Sequence, residues 1–249
     1  MKTLIFTSNL KHYHNENNKK VPNKLDNTNY FIDVLKKIIP TNATILYVAS
    51  SFNDIETNDS YSSLLFEGLR LSGIVFDKYN ILDERTKEKV REFVEEADVI
   101  FISGGDTFLE NKSLTEISFK ELIKDYEGII IGQSAGAINM ATNVYNSPEE
   151  GEMSQNIYFE GLGLSNINVE PHFVLDTANF NGLELYQRGH ILNESMKREI
   201  YAISDGAYII ESNNSITIFG ESYLIKDGII TKLCSNGEQK TLFQNVKSK

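Results

Sequence analysis

The sequence predicts an α/β fold: a three-layer, doubly wound, mostly parallel sheet with antiparallel hairpin strands towards the C-terminal end. Three observations lead there. Short apolar runs alternate with amphipathic segments through the first half, as in a parallel sheet covered by helices. Two of those runs break into small-residue turns at their carboxyl ends. From Ile200 onward the pattern changes to short alternating runs separated by turn pairs, which is the signature of hairpins.

Taken in order, Thr3–Thr7 is a short apolar and β-branched run, expected as a buried strand. Asn9–Asn27 is polar, rich in Asn and Lys, and reads as a solvated or substrate-capping loop. His12 and His14 lie within it but lack the carboxylate or cysteine company of a metal site. Tyr30–Ile39 places apolar residues at helical spacing and stops at Pro40. Thr44–Ala49 is the next expected strand, then Tyr61–Leu71 a helix closed by Gly73. A strand at Ile74–Tyr79, a helix at Arg85–Glu96, a strand at Val99–Ile102 and a helical stretch near Leu114–Tyr126 continue the alternation. Ile129–Ile131 is the last strand of this series. Ser134–Met140 is expected as a helix, Asn143–Asn156 as a polar acidic loop, Ile167–Phe173 as a strand and Asn179–Glu194 as a helix. Tyr208–Glu211, Ser215–Phe219, Ser222–Ile225 and Ile229–Leu233, with Asn213-Asn214 and Asp227-Gly228 between them, supply the hairpins. No break in composition divides the chain, so a single domain over residues 1–249 is expected.

A formal charge of −11 argues against general attraction to nucleic acid or to an anionic membrane. One cysteine, Cys234, rules out an internal disulfide framework and agrees with a reducing compartment; in its strand context it reads as a small packing residue. Leu4-Ile5-Phe6 is too short for the apolar region of a signal peptide, and no later run is long enough to span a bilayer. A cytoplasmic location is expected. No Gly-Lys-Ser/Thr phosphate loop follows a strand and no Cys/His cluster has zinc spacing, so neither nucleotide nor metal nor other cofactor is expected. Oligomeric state stays open between monomer and homodimer.

The chemistry is concentrated at two turns and one histidine. Gly132-Gln133-Ser134-Ala135-Gly136 fits the G-x-S-x-G elbow, in which a strand reverses into a helix and holds a serine exposed. Ser103-Gly104-Gly105-Asp106 follows the strand before it, so both turns are expected at the carboxyl edge where open α/β sheets bind ligands. Gly104 and Gly105 let backbone amides approach a substrate, and Asp106 is placed to cap the next helix or touch the substrate. One amide of this turn with that of Ala135 would form a two-donor oxyanion hole. A serine nucleophile needs a base. Of the four histidines, His172 stands at the end of a strand-like run in Glu170-Pro171-His172-Phe173 and is the favoured one.

Gly-Gly-Asp-Thr-Phe (104–108), Gly-Gln-Ser-Ala-Gly-Ala (132–137) and Pro-His-Phe (171–173) resemble, in order and spacing, three signatures of the peptidase E (aspartyl dipeptidase) family. The resemblance runs from the first strand to about Gly220, and the more distant cyanophycinases share the serine elbow. It implies a flavodoxin-like fold similar to the class I glutamine amidotransferases, whose elbow carries cysteine. It also implies a Ser-His mechanism through Ser134 and His172, with Gly105 and Ala135 amides as the oxyanion hole. The family's third member, an aspartate in the loop after the elbow helix, falls by counting at Glu149, with Glu150 and Glu152 adjacent. The family's arginine for an acidic side chain falls near Leu185; either Arg188, one turn later on the same helical face, substitutes for it or the preference for Asp is absent.

These readings converge on a serine peptidase hydrolysing short peptides. Two alternatives remain at this stage: hydrolysis of another amide, isopeptide or ester, and a catalytically silent binding protein on the same fold.

Overall fold

The structure is a computed structural model that describes residues 2–148, 156–175, 189–212 and 215–243. The first half runs β1 (Thr3–Thr7), β2 (Tyr13–Glu16), β3 (Lys19–Pro22), α1 (Phe31–Ile38), β4 (Thr44–Val48), α2 (Ile55–Leu71) and β5 (Lys78–Leu82). It continues through α3 (Val90–Glu96), β6 (Val99–Ile102), α4 (Thr107–Glu116), α5 (Phe119–Ile123), β7 (Ile129–Gln133) and α6 (Ala135–Asn139). Strands dominate the remainder: β8 (Asn143–Tyr145), β9 (Tyr158–Glu160), β10 (Asn168–Glu170), β11 (Ile200–Ile203) and β12 (Tyr208–Ser212). The last four are β13 (Ser215–Phe219), β14 (Ser222–Lys226), β15 (Ile229–Cys234) and β16 (Gln239–Phe243).

Eight strands form the central sheet in the order β16-β13-β12-β1-β7-β6-β4-β5. From β1 to β5 every neighbouring pair is parallel, whereas β12, β13 and β16 join antiparallel. β1, β4, β6 and β7 read as apolar runs because both faces are covered; Ile5, Leu46, Ile100 and Ile130 are all fully buried. Register then sets the functional edge. Thr7 pairs with Gln133 and Ile102 with Gly132, so the residues that leave these strands emerge side by side.

A second sheet, in the order β10-β11-β14-β15, packs on its own smaller cluster around Tyr145, Ile200 and Tyr223. Residues 204–207 carry the chain from β11 in this sheet to β12 in the central one. The antiparallel C-terminal strands are therefore shared between two sheets, where the sequence predicted a single edge. The strand expected at Ile167–Phe173 is β10, and it too belongs to the second sheet.

Other differences have local causes. The strand expected at Ile74–Tyr79 is β5, which starts four residues later. Ile74 and Phe76 are buried as loop anchors after Gly73 ends α2 in a left-handed turn, so their hydrophobicity reports packing and not pairing. Helix α2 starts earlier than its apolar spacing suggests because Asp54 caps it, accepting from Thr57 N. Ser118, at φ 52°, interrupts the expected Leu114–Tyr126 helix, and α4 reaches back to Thr107. The segment expected as a polar loop from Asn143 opens with the short strand β8, which pairs with β9. The 9–27 segment contains the β2–β3 hairpin, with His12 buried and His14 exposed. Of the expected Asn179–Glu194 helix, residues 189–194 are helical and the rest lies outside the described residues. No helix among the described residues is long and apolar enough to cross a membrane.

Candidate active site

Ser134 follows β7 and immediately precedes α6, with φ 51° and ψ −113°. A serine rarely adopts positive φ, and such strain persists only where the surroundings impose it. Here they do. Ser134 N donates to Thr7 O at 2.9 Å, and Gly136 N donates to Ser103 O at 3.1 Å. The flanking glycines are required by contact: a Cβ on Gly136 would lie 2.3 Å from Ile102 O, and one on Gly132 2.7 Å from Ala137 N. The turn is thus clamped between β1 and β6.

Ser134 Oγ lies 2.9 Å from His172 Nε2. His172 Nδ1 lies 2.7 Å from Asp205 Oδ1. The topology explains how residues 33 apart in sequence meet. β10 and β11 are parallel neighbours paired through Glu170 and Ala202, so His172 and Asp205, just beyond their carboxyl ends, emerge together. Ser8, fully buried at the end of β1, ties the group to the central sheet. Its hydroxyl donates to Asp205 Oδ1 at 2.7 Å and accepts from His172 N at 2.8 Å. His172 itself has φ 57°, a second left-handed residue at the site. An ionised Asp205 can only accept, which places the imidazole proton on Nδ1 and leaves Nε2 to accept from Ser134. The hydrogen bond from His172 holds the Asp205 carboxyl below its usual range, against the burial that raises it and with help from Ser8.

The Gly104-Gly105 turn borders the same site. A Cβ on Gly104 would lie 3.2 Å from Ser134 Cβ, and one on Gly105 2.3 Å from Ser50 Oγ, so close approach shapes both positions. Asp106 caps α4, its Oδ1 accepting from Leu109 N at 2.8 Å. Ala135 opens α6, so its amide has no carbonyl of its own helix to bond. A pocket of about 390 Å³ adjoins these residues, lined by Ser134, His172 and Gly105 together with Tyr47, Tyr61 and His12.

Among the sequence-predicted residues, Ser134, His172, Gly104, Gly105, Asp106 and Ala135 gather at one edge. Glu149, with Glu150 and Glu152, lies outside the described residues, as do Leu185 and Arg188. Among the described residues, the carboxylate within reach of His172 Nδ1 is that of Asp205. Sequence reasoning missed Asp205 and Ser8. The available signal for Asp205 was its turn pair with Gly206, which looks the same as Asp227-Gly228 and so does not mark function.

Comparison with known proteins gives a match to the model of peptidase family S51 over residues 12–219. A probable alpha-aspartyl dipeptidase of Drosophila melanogaster is 28% identical over 135 residues, 53% of this chain and 52% of that protein. Peptidase E of Haemophilus influenzae (strain PittGG) is 26% identical over 151 residues, 59% of this chain and 64% of that protein. The chain thus spans between half and two thirds of the length of these curated relatives. Among solved structures, a peptidase from an acI-B1 Actinobacterium superposes with a TM-score of 0.69, covering 96% of both chains at 17% identity, a likeness of fold.

Proposed function

The chain belongs to peptidase family S51, and from that premise we propose that it is a serine peptidase of short peptides, with Ser134 as nucleophile, His172 as base and Asp205 as the orienting acid. The observation that carries this reading is the continuous hydrogen-bonded line from Ser134 Oγ through the imidazole to Asp205, 2.9 Å and 2.7 Å in its two links. Ser134 Oγ attacks the scissile carbonyl as its proton passes to His172 Nε2. Amides of Gly105 and Ala135 stabilise the resulting oxyanion. The imidazolium, steadied by Asp205, returns the proton to the leaving amine as the C–N bond breaks, and water then releases the acyl group by the same route. Asp106 acts in this reading through its cap, which fixes the turn that presents Gly105. The same reading takes the central sheet as the middle of a doubly wound, three-layer arrangement; the parallel order from β1 to β5 supports it.

Turnover of dipeptide substrates with fluorophosphonate labelling of Ser134 tests the assignment. Ser134→Ala is expected to abolish both, and Asp205→Asn to reduce kcat by roughly 10⁴-fold, as loss of the orienting carboxylate does in other serine proteases. An Asp205→Asn variant that turns over at the parental rate would remove Asp205 from the mechanism.

A further inference from the structure

The described walls of the pocket beside Ser134 mix uncharged polar side chains with Leu65, Phe101 and three tyrosine rings. No lysine, arginine, aspartate or glutamate lines it among the described residues. Three buried polar atoms on its wall residues, His12 Nδ1, Gln133 Oε1 and Ser103 Oγ, have no hydrogen-bond partner; the hydroxyl can donate or accept, and the other two are the acceptors. Native structures seldom leave such atoms dry unless a ligand or water completes them. His12 is 3% exposed and its seat is built in: Gly68 of α2 leaves the space, since a Cβ there would lie 2.9 Å from His12 Cβ. Asn23 N, donating to His12 O at 2.7 Å, pins its backbone. Burial lowers the imidazole pKa to about 4, so the ring is uncharged at neutral pH and one of its nitrogens accepts.

We propose that this pocket receives the side chain of the residue whose carbonyl Ser134 attacks, that its preferred occupant is a carboxamide, asparagine or glutamine, and that His12 and Gln133 select it by accepting its N–H groups. The proposal rests on the serine peptidase reading above. The acyl side follows from the walls: the pocket shares Gly104 and Gly105 with the turn that faces the acyl carbonyl. A carboxamide supplies the two donors the acceptors need, and its oxygen can accept from a tyrosine hydroxyl of the wall. A carboxylate supplies no donor to these two acceptors, and no cation among the described residues lines the pocket to offset its lost hydration. Lys20, a cation that approaches these walls, is exposed, bonds the Tyr61 hydroxyl and sits over that ring, 3.8 Å from its centroid, outside the lining.

The test compares p-nitroanilides of Asn, Gln, Asp and Leu on the full chain, with fluorophosphonate labelling of Ser134 measured in parallel. The expected kcat/KM for Asn or Gln exceeds that for Asp by at least about a hundredfold, because a site built to hydrogen-bond a group rejects an analogue that cannot donate. His12→Leu is expected to lower the Asn-to-Leu ratio at least about tenfold, chiefly through KM, and His12→Asn to restore it by returning an acceptor near the Nδ1 position. If Ser134 is labelled and Asp is hydrolysed as fast as Asn, the pocket assignment is overturned while the serine mechanism stands. Labelling with no hydrolysis of the Asn or Gln substrate overturns the pocket assignment in the same way. An Asp preference that disappears in Lys20→Met would have the same meaning and name Lys20 as the selector. Absence of both labelling and turnover would overturn the mechanism and the pocket assignment with it. The wild-type preference decides the matter even if a His12 variant fails to fold.

Discussion

Ser8 is the residue on which the candidate site's geometry converges. Its hydroxyl donates to Asp205 and accepts from His172 N, so one small side chain fixes the acid and the histidine backbone against β1. Ser8→Ala should leave His172 and Asp205 in contact but loosen their alignment. We expect kcat to fall roughly 10- to 100-fold, the scale of a misplaced catalytic group, with stability lower by about 1 kcal/mol for the hydrogen bond lost at the half-buried His172 N. Steady-state kinetics and urea unfolding check the two parts, and an unchanged kcat would assign Ser8 to structure alone. Ser134 was legible in the sequence because its strain is written locally, in glycines two residues away on either side. Asp205 was not, because its role depends on parallel pairing of β10 with β11 across a long intervening segment. Nothing within a few residues of position 205 records that pairing.

At the scale of elements, four of the five parallel strands, β1, β4, β6 and β7, were visible as apolar runs because a strand covered on both faces has no polar side to interrupt it, whereas the edge strand β5 exposes Lys78 and Tyr79. Their partners were harder to read. Ile74 and Phe76 are as apolar as strand residues yet serve as anchors, and only the register of β5 against β4 separates the two uses. The elbow depends on another element contact, that of α6 with β6, where Gly136 lets the helix backbone press on Ile102 O and Ser103 O. Gly136→Ala gives that contact no room. The helix must shift, and we expect a loss of about 1–3 kcal/mol from overpacking, together with a larger loss of kcat, because the displaced residues carry the Ala135 amide and Ser134. A variant with parental kcat and parental urea midpoint would show that α6 can retreat without disturbing the elbow.

For the whole molecule, three titratable groups that burial shifts set the pH dependence of stability between about pH 5 and 6.5. Glu110 is wholly buried on α4, accepting from Asn139 Nδ2 at 2.8 Å, and burial raises its pKa well above the usual carboxylate value. Glu170 accepts from Ser147 Oγ at 2.8 Å, and burial pushes it up to about 7. His12 is pushed the other way, to about 4. In this window the native state holds protons on the two glutamates that the unfolded chain has begun to release, so their contribution to stability falls as pH rises. The unfolded chain, in turn, protonates His12 where the native state does not, so the histidine's contribution falls as pH drops from 6.5 towards 4. Two groups oppose one, and a formal charge of −11 adds self-repulsion that also grows with pH. The net expectation is a stability that declines as pH rises, by up to about 1.4 kcal/mol per pH unit for each unbalanced proton. Replacing both glutamates by glutamine keeps their acceptor oxygens but removes their protons from the balance. In about 0.15 M salt, where distant charges are largely screened, the double variant should reverse the sign of the slope and lose stability as pH falls. His12→Asn should steepen the original decline. Urea midpoints taken across pH 5 to 6.5 measure all three slopes, and a double variant that still declines with rising pH would show that the surface charge outweighs these three groups.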